Sequence, residues 1–306
     1  MPHPIELIFN PMADHGRSGQ KAADLRPMVE DLGGADWRGT EYPAHATKLA
    51  AAAADEGYQT VVALGGDGTV HEVINGLMRI PAERRPRLGI IPMGSGNDFA
   101  GGNQLANTKN MQEAMRRAFT GSERAVDVAL LRDAAGRSEY FDNTAGIGFD
   151  AAINIRSRGY KHIHGFMMYL SATLQSIALN FDAPHMRVTY DGGTLDQAVM
   201  MLTVGNGPRE GGGFITTPSS KIDDGCLDFV YIDQVSQVRM LQLLPKFMSA
   251  THVGQRDVHV ARTTRLTIDA DRALPIHIDG ELFAPYEADV RHVEIEVVPG
   301  AIRVVV

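Results

Sequence analysis

Over its first 120 or so residues the chain alternates continuous apolar runs with amphipathic stretches. IELIFN is followed by a helical pattern over 19–32, a strand-like 36–42 and an alanine-rich 44–56. TVVALGG, 70–79, LGIIP and 109–120 then repeat the alternation. The pattern predicts βαβ units that build a parallel sheet flanked by helices. From about Arg124 the rhythm changes. RAVDVALLRD, SEYFDNTAGIGF, MRVTYDGG, QAVMMLTVGNG, CLDFVYID, RLTIDA, LPIHIDGEL and VEIEVV are short, rich in β-branched residues and separated by turn signals. They predict an antiparallel sandwich or barrel-like region, with helices near 150–181 and 236–249. The expected fold is an α/β N-terminal domain with a parallel sheet, residues 1–122, and a mainly antiparallel β-sandwich C-terminal domain, residues 123–298. Ligands are expected where two such domains meet.

The 306 residues suffice for two cores without a disulfide or structural metal. A formal charge of -8 argues against a surface that blankets nucleic acid, which needs clustered cations. The short basic clusters, Arg84, Arg85 and Arg87, and Arg156, Arg158 and Lys161, read as solvated faces. The single cysteine, Cys226, excludes an internal disulfide and fits a reducing compartment, so a cytoplasmic location is expected. MPHPIELIFNP lacks the pattern of a signal peptide and reads as an opening strand. The apolar segment from Gly165 to Phe181 is interrupted by Ser171, Thr173, Gln175, Ser176 and Asn180, which suits a helix packed on protein better than a membrane span.

Candidate chemistry concentrates in LGGDGTVHEVINGL, residues 64–77. TVVALGG reads as a buried strand. Thr69 and Glu72 have the spacing of a capping box, so Thr69 is the expected N-cap of the next helix. A glycine loop between a strand's carboxyl end and a helix N-terminus favours an anion. Gly65, Gly66 and Gly68 let backbone amides approach phosphate oxygens. Asp67 beside phosphates makes sense if it holds a magnesium ion or polarises a water. A Gly-Lys-Ser/Thr phosphate loop is absent, and HEVIN has Asn75 where a zinc helix needs its second His. A second glycine loop, PMGSGNDFA, follows the next strand with Ser95, Asn97 and Asp98, and two such loops strengthen the reading of a phosphate cradle.

GGDGTVHEVINGL together with PMGSGNDFA resembles the catalytic domain shared by diacylglycerol kinases, sphingosine and ceramide kinases and bacterial lipid kinases, a fold related to NAD kinases and phosphofructokinases. The likeness extends along the chain through IFNPMADHGRSG, TEYPAHA, NTAGIGFDA, VGNGPREGGGF, PSSKIDDGCLDF and IHIDGEL. It implies ATP bound over the first domain by Asn10, Thr40, the stretch Gly66, Asp67, Gly68, Thr69, Val70, His71 and Glu72, and Ser95, where the family usually has Thr. Gly101 and Gly102 stand where the family often has Arg. SKIDDGCLD resembles a Mg²⁺ loop, with the Lys221 carbonyl, the Asp224 carboxylate and the Cys226 carbonyl as ligands. A hard cation takes such oxygens, and Asp127 is a further acid able to support it.

Phosphorylating an alcohol needs a carboxylate within reach of the hydroxyl. By resemblance, Asp279 or Glu281 of HIDGE is the proton acceptor, with Glu281 favoured. If the strand continued, the two would share one side. The helix from His164 to Phe181 and the segment from Met240 to Met248 are candidates to line a lipid groove. The implied protein is a two-domain kinase that visits the membrane surface and phosphorylates a lipid alcohol, with ATP and Mg²⁺ and without nucleic acid. The acceptor stays open among diacylglycerol, a sphingoid base and other lipid alcohols, a homodimer is allowed, and the strand 299–306 is expected to return to the first domain. The rival readings are an NAD kinase and a non-catalytic lipid-binding or regulatory protein.

Overall fold

The computed structural model describes residues 4–11, 18–160, 165–179 and 182–306. Lys161, His164, Asn180 and Phe181, which entered the expectations above, lie outside them. The chain divides into two units, Met1–Val128 with Pro299–Val306, and Ala129–Val298.

In the first unit, β1 (Ile5–Phe9), β2 (Asp36–Gly39), β3 (Thr60–Gly65) and β4 (Arg87–Pro92) pair in parallel in the order β4-β3-β1-β2. The end of β15 (His292–Val305) adds to β4 through Val304 and Leu88, also in parallel. Every residue of β3 is buried, as expected of a central parallel strand covered on both faces. Leu7, Val62, Leu64 and Ile91 pack with Leu25 and Val29 of α1 (Ser18–Asp31) and with Met115 and Ala118 of α5 (Met111–Thr120). Between them in the chain lie α2 (His45–Ala52), α3 (Asp67–Leu77) and the short α4 (Asp98–Gly102).

The expected capping box does not form. The glycine loop itself supplies the first turn of α3, whose N-cap is Gly66, and the Thr69 amide donates to the Gly66 carbonyl at 3.0 Å. Glu72 instead caps the neighbouring helix: its carboxylate accepts from the amides of Ala44 at 2.9 Å and Ala46 at 3.1 Å at the start of α2. Gly76 lets the two helices meet, since a Cβ there would lie 2.4 Å from the Thr47 carbonyl oxygen. In the first basic cluster Arg84 is exposed as expected, but Arg85 is not. Arg85 is buried and donates to the carbonyls of Leu77 at 3.0 Å and Ile80 at 2.9 Å, which secures the chain after α3.

Among the described residues the strand pairings of the second unit are antiparallel, as in a β-sandwich. It begins within β5 (Glu123–Asp133), whose first half belongs to the other unit, and continues through β6 (Ser138–Phe141) and β7 (Thr144–Gly148). The long β9 (Gly193–Gly205) changes partners along its length. Its first half pairs with β8 (His185–Tyr190), and its second half lies between β7 and β10 (Leu227–Asp233). Such a strand turns the corner between layers. The sheet continues through β11 (Val258–Thr263), β12 (Arg265–Ala270), β13 (Ile276–Ile278) and β14 (Glu281–Ala284). Phe141, Leu202, Phe229, Ile276 and Ile295 share one apolar core.

A second core forms where α6 (Phe149–Ser157), α7 (Phe166–Leu179) and α8 (Gln237–Met248) cover the strands, with Phe149, Ile177, Met200, Val230 and Leu243 in contact. The helices expected near 150–181 are α6 and α7. Among the described residues no helix is long and apolar enough to cross a membrane.

Candidate functional site

In the first unit the residues singled out gather at the carboxyl edge of the parallel strands. Phe9 is in register with Gly39 and Leu64, and Gly65 with Pro92, so Asn10, Thr40, the loop from Gly66 and the loop from Met93 all leave the sheet at one edge. That edge is where open α/β sheets bind ligands. The two glycine loops touch: a Cβ on Gly94 would lie 2.6 Å from the Gly66 Cα, so the glycines serve backbone packing between loops as well as access to amides. Asn97, at φ 52°, closes the second loop by accepting from the Gly94 amide at 2.9 Å and donating to its carbonyl at 2.7 Å.

Asp67 accepts from the Phe99 amide at 3.4 Å, and a Cβ on Gly96 would sit 2.9 Å from one Asp67 oxygen and 3.4 Å from an Asp98 oxygen. Two carboxylates therefore flank Gly96, beside the exposed Ser95. Thr69, Val70 and His71 are buried and Glu72 is engaged with α2, so that part of the stretch presents backbone and not side chain to the loop. Asp127, expected near a metal, is buried and accepts from the Gly300 amide at 2.7 Å.

In the second unit, Asp279 and Gly280 form a two-residue hairpin turn between β13 and β14, with φ of 50° and 82° and Ile278 paired to Glu281. Asp-Gly suits this turn because both central residues need positive φ. The strand does not continue through Asp279, so the two acids do not share one side as a run of strand would require; the turn separates them. Asp279 accepts from three successive amides, Asp142, Asn143 and Thr144, each at 3.0 Å. Its carboxylate is a structural anchor for the hairpin. Glu281 is exposed and pairs with Arg158 at 2.9 Å. Arg158, read from the sequence as part of a solvated cluster, also donates to the Gly280 carbonyl at 3.0 Å, and Asn154 donates to the same oxygen at 2.8 Å. The end of α6 thus grips the turn that presents Glu281. The i,i+4 spacing of Asn154 and Arg158 was the available signal, since it places both on one helix face.

The SKIDDGCLD loop is exposed around Asp223 and Asp224, with Gly225 at φ 69°. Asp224 pairs with Arg262 at 2.5 Å and accepts from the Cys226 amide at 3.2 Å. The donor chemistry fits a hard cation: one carboxylate, the Lys221 and Cys226 carbonyls, and room for water at an exposed turn. Arg262 is the counter-charge that such a cation would displace.

A glycine-looped parallel α/β unit followed by an antiparallel sandwich is the architecture of the NAD kinase-like class. Residues 4–131 match the diacylglycerol kinase catalytic domain, and residues 143–306 match the YegS C-terminal NAD kinase beta sandwich-like domain. The chain belongs to the diacylglycerol kinase catalytic-domain family, in its form with a YegS-type C-terminal domain. It is 36% identical over 237 residues to a "Probable lipid kinase YegS-like" of Chromohalobacter salexigens, covering 76% of this chain and 73% of that one. It is 30% identical over 312 residues to a "Diacylglycerol kinase" of Mycobacterium tuberculosis, covering 98% and 94%. A solved structure from Bacillus anthracis str. Sterne, provisionally described as a diacylglycerol kinase, superposes with a TM-score of 0.77 at 25% identity over 98% of this chain and 96% of that one.

Proposed function

We propose that the protein is an ATP-dependent lipid kinase that transfers the γ-phosphoryl group to the hydroxyl of a lipid alcohol, diacylglycerol-like or sphingoid. The observation that carries the reading is the division of roles in the Asp-Gly-Glu hairpin. Asp279 is used up on three amides, which leaves Glu281 as the exposed carboxylate on a rigid turn. Glu281 accepts the proton of the lipid hydroxyl as the hydroxyl oxygen attacks the γ-phosphorus, the bond from phosphorus to the β–γ bridging oxygen breaks and ADP leaves. Arg158, paired with Glu281, orients its carboxylate.

In the first unit, Asn10, Thr40 and Ser95 hold the nucleotide at the sheet edge while the amides from Gly66 to Gly68 donate to its phosphates. Mg²⁺, when bound, neutralises the charge spread over the transferring phosphoryl group. Asp67 with Asp98, and Asp224 with the Lys221 and Cys226 carbonyls, are the residues that would hold it. The protein acts in the cytoplasm and docks transiently on the membrane to reach its lipid; nucleic acid has no part. The apolar side chains exposed on α7 and α8, including Met167, Leu174 and Leu241, suit that contact.

The test is transfer of label from γ-labelled ATP with Mg²⁺ into a total lipid extract, beside Glu281→Gln. A labelled lipid that disappears with the variant is the expected result. Tight ATP binding with no labelled lipid overturns the reading, and label entering NAD instead would make the protein an NAD kinase.

A further inference from the structure

One cluster of titratable groups in the second unit is used neither by the hairpin nor by the acidic loop. His277 on β13 is in register with Gly146 on β7, and Gly146 with Thr203 on β9, so the three form a row across adjacent strands. Residues directly opposite one another in a sheet share a face. The middle position has no side chain. A Cβ on Gly146 would fall 2.2 Å from His277 Nε2 and 2.3 Å from an Asp150 oxygen, so the glycine opens a space that polar atoms from both sides enter.

Asp150 reaches the space from the first turn of α6, and Glu210 from the loop after β9. Among the described residues, one atom each from Asp150, Glu210 and His277 lie within 4.8 Å of one another. The His277 side chain is only 6% exposed, and its Nδ1 has no hydrogen-bond partner. Its Nε2 stands 3.6 Å from Asp150 Oδ1 and 4.0 Å from Glu210 Oε2, both too far for a hydrogen bond. Both carboxylates are held in place: the Thr203 hydroxyl donates to Asp150 Oδ2 at 2.6 Å, and the Thr144 hydroxyl to Glu210 Oε2 at 3.0 Å.

We infer that Asp150, Glu210 and His277 form a binding site for a divalent first-row transition-metal cation. The buried imidazole faces two carboxylates across a gap that one ion spans with bonds of about 2.0–2.2 Å after small side-chain shifts. Two like charges brought together at low exposure repel, and a bound cation reverses that. One nitrogen and two oxygens suit Mn²⁺ or Zn²⁺ better than Mg²⁺, which prefers oxygen and keeps its waters. The threonine hydroxyls orient the ligands from the outer shell. The site lies behind the hairpin, since His277 precedes Asp279 by two residues, and its occupation stiffens β13 against β7. The inference does not depend on the kinase reading.

The test uses the whole protein, freed of metal by chelation and titrated with Mn²⁺, with bound ion read by pulsed electron paramagnetic resonance. The expected spectrum carries the nitrogen modulation of one coordinated imidazole. That signal is lost in His277→Gln and kept in Asp224→Asn, whose loop offers only oxygen. Glu210→Gln, at a less buried ligand, weakens Mn²⁺ binding roughly tenfold or more while circular dichroism is unchanged. No imidazole signal at saturating Mn²⁺, or its survival in His277→Gln, overturns the site and leaves His277 as a buried polar neighbour of two carboxylates.

Discussion

At the scale of single residues, the hairpin acids separate by experiment. Asp279→Ala strands three buried amides and is expected to cost about 3 kcal/mol of stability in chemical denaturation. Glu281→Gln is expected to leave stability within roughly 0.5 kcal/mol of the parent, as an exposed change should, and to abolish the proposed lipid phosphorylation. The letters DGE were legible as two candidate carboxylates with Glu281 favoured, but the anchoring of Asp279 was not. It depends on the amides of residues 142–144, more than 130 positions upstream, which no local pattern connects to Asp279.

Glu6 gives a second residue-level test. It is fully buried on β1 with Arg38 at 3.3 Å, and desolvation pushes its carboxyl from the usual 4.5 up to about 7, against the pull of Arg38. The folded state therefore holds a proton that the unfolded chain releases, and the contribution present below pH 4.5 is lost as pH rises to about 7. Glu6→Gln is expected to remove this slope, which amounts to on the order of 3 kcal/mol, in denaturation curves collected from pH 4.5 to 8.

At the scale of elements, periodicity located the strands and helices well, and the errors fall at starts and ends. A glycine-rich loop has no apolar period, so nothing in GGDG announces that α3 begins at Asp67. Thr69 and Glu72 have the right spacing for a cap, but a spacing carries no information about a second helix that competes for the same carboxylate. Glu72→Ala is expected to cost about 1 kcal/mol, as loss of a helix cap does, and hydrogen exchange should speed up in the first turn of α2 and not of α3. Arg85 misled for a similar reason: three arginines in four positions look like a charged face, and only the carbonyls of Leu77 and Ile80, at and just past the end of α3, explain why one of them turns inward.

At the scale of the molecule, the parallel-then-antiparallel order was legible because the two sheet types leave different hydrophobic rhythms. The first unit is discontinuous in the chain, and its last strand comes from the other end. Val304 pairs with Leu88, Ser122 and Val306 exchange two backbone bonds at 2.8 and 3.1 Å, and Gly300 donates to Asp127. Residues 1–128 alone are expected to lack a cooperative thermal transition. The same residues joined by a flexible linker to 299–306 are expected to regain one, as read by circular dichroism.

The discontinuity also sets an order of events during synthesis. The ribosome emits the glycine loops well before the strand that pairs with β4, so while the second unit is being made β4 offers an open edge. Domains ordinarily fold as they emerge, and unpaired strand edges are points of misassembly. This chain has to keep the β4 edge of its first unit waiting until the second unit has been made.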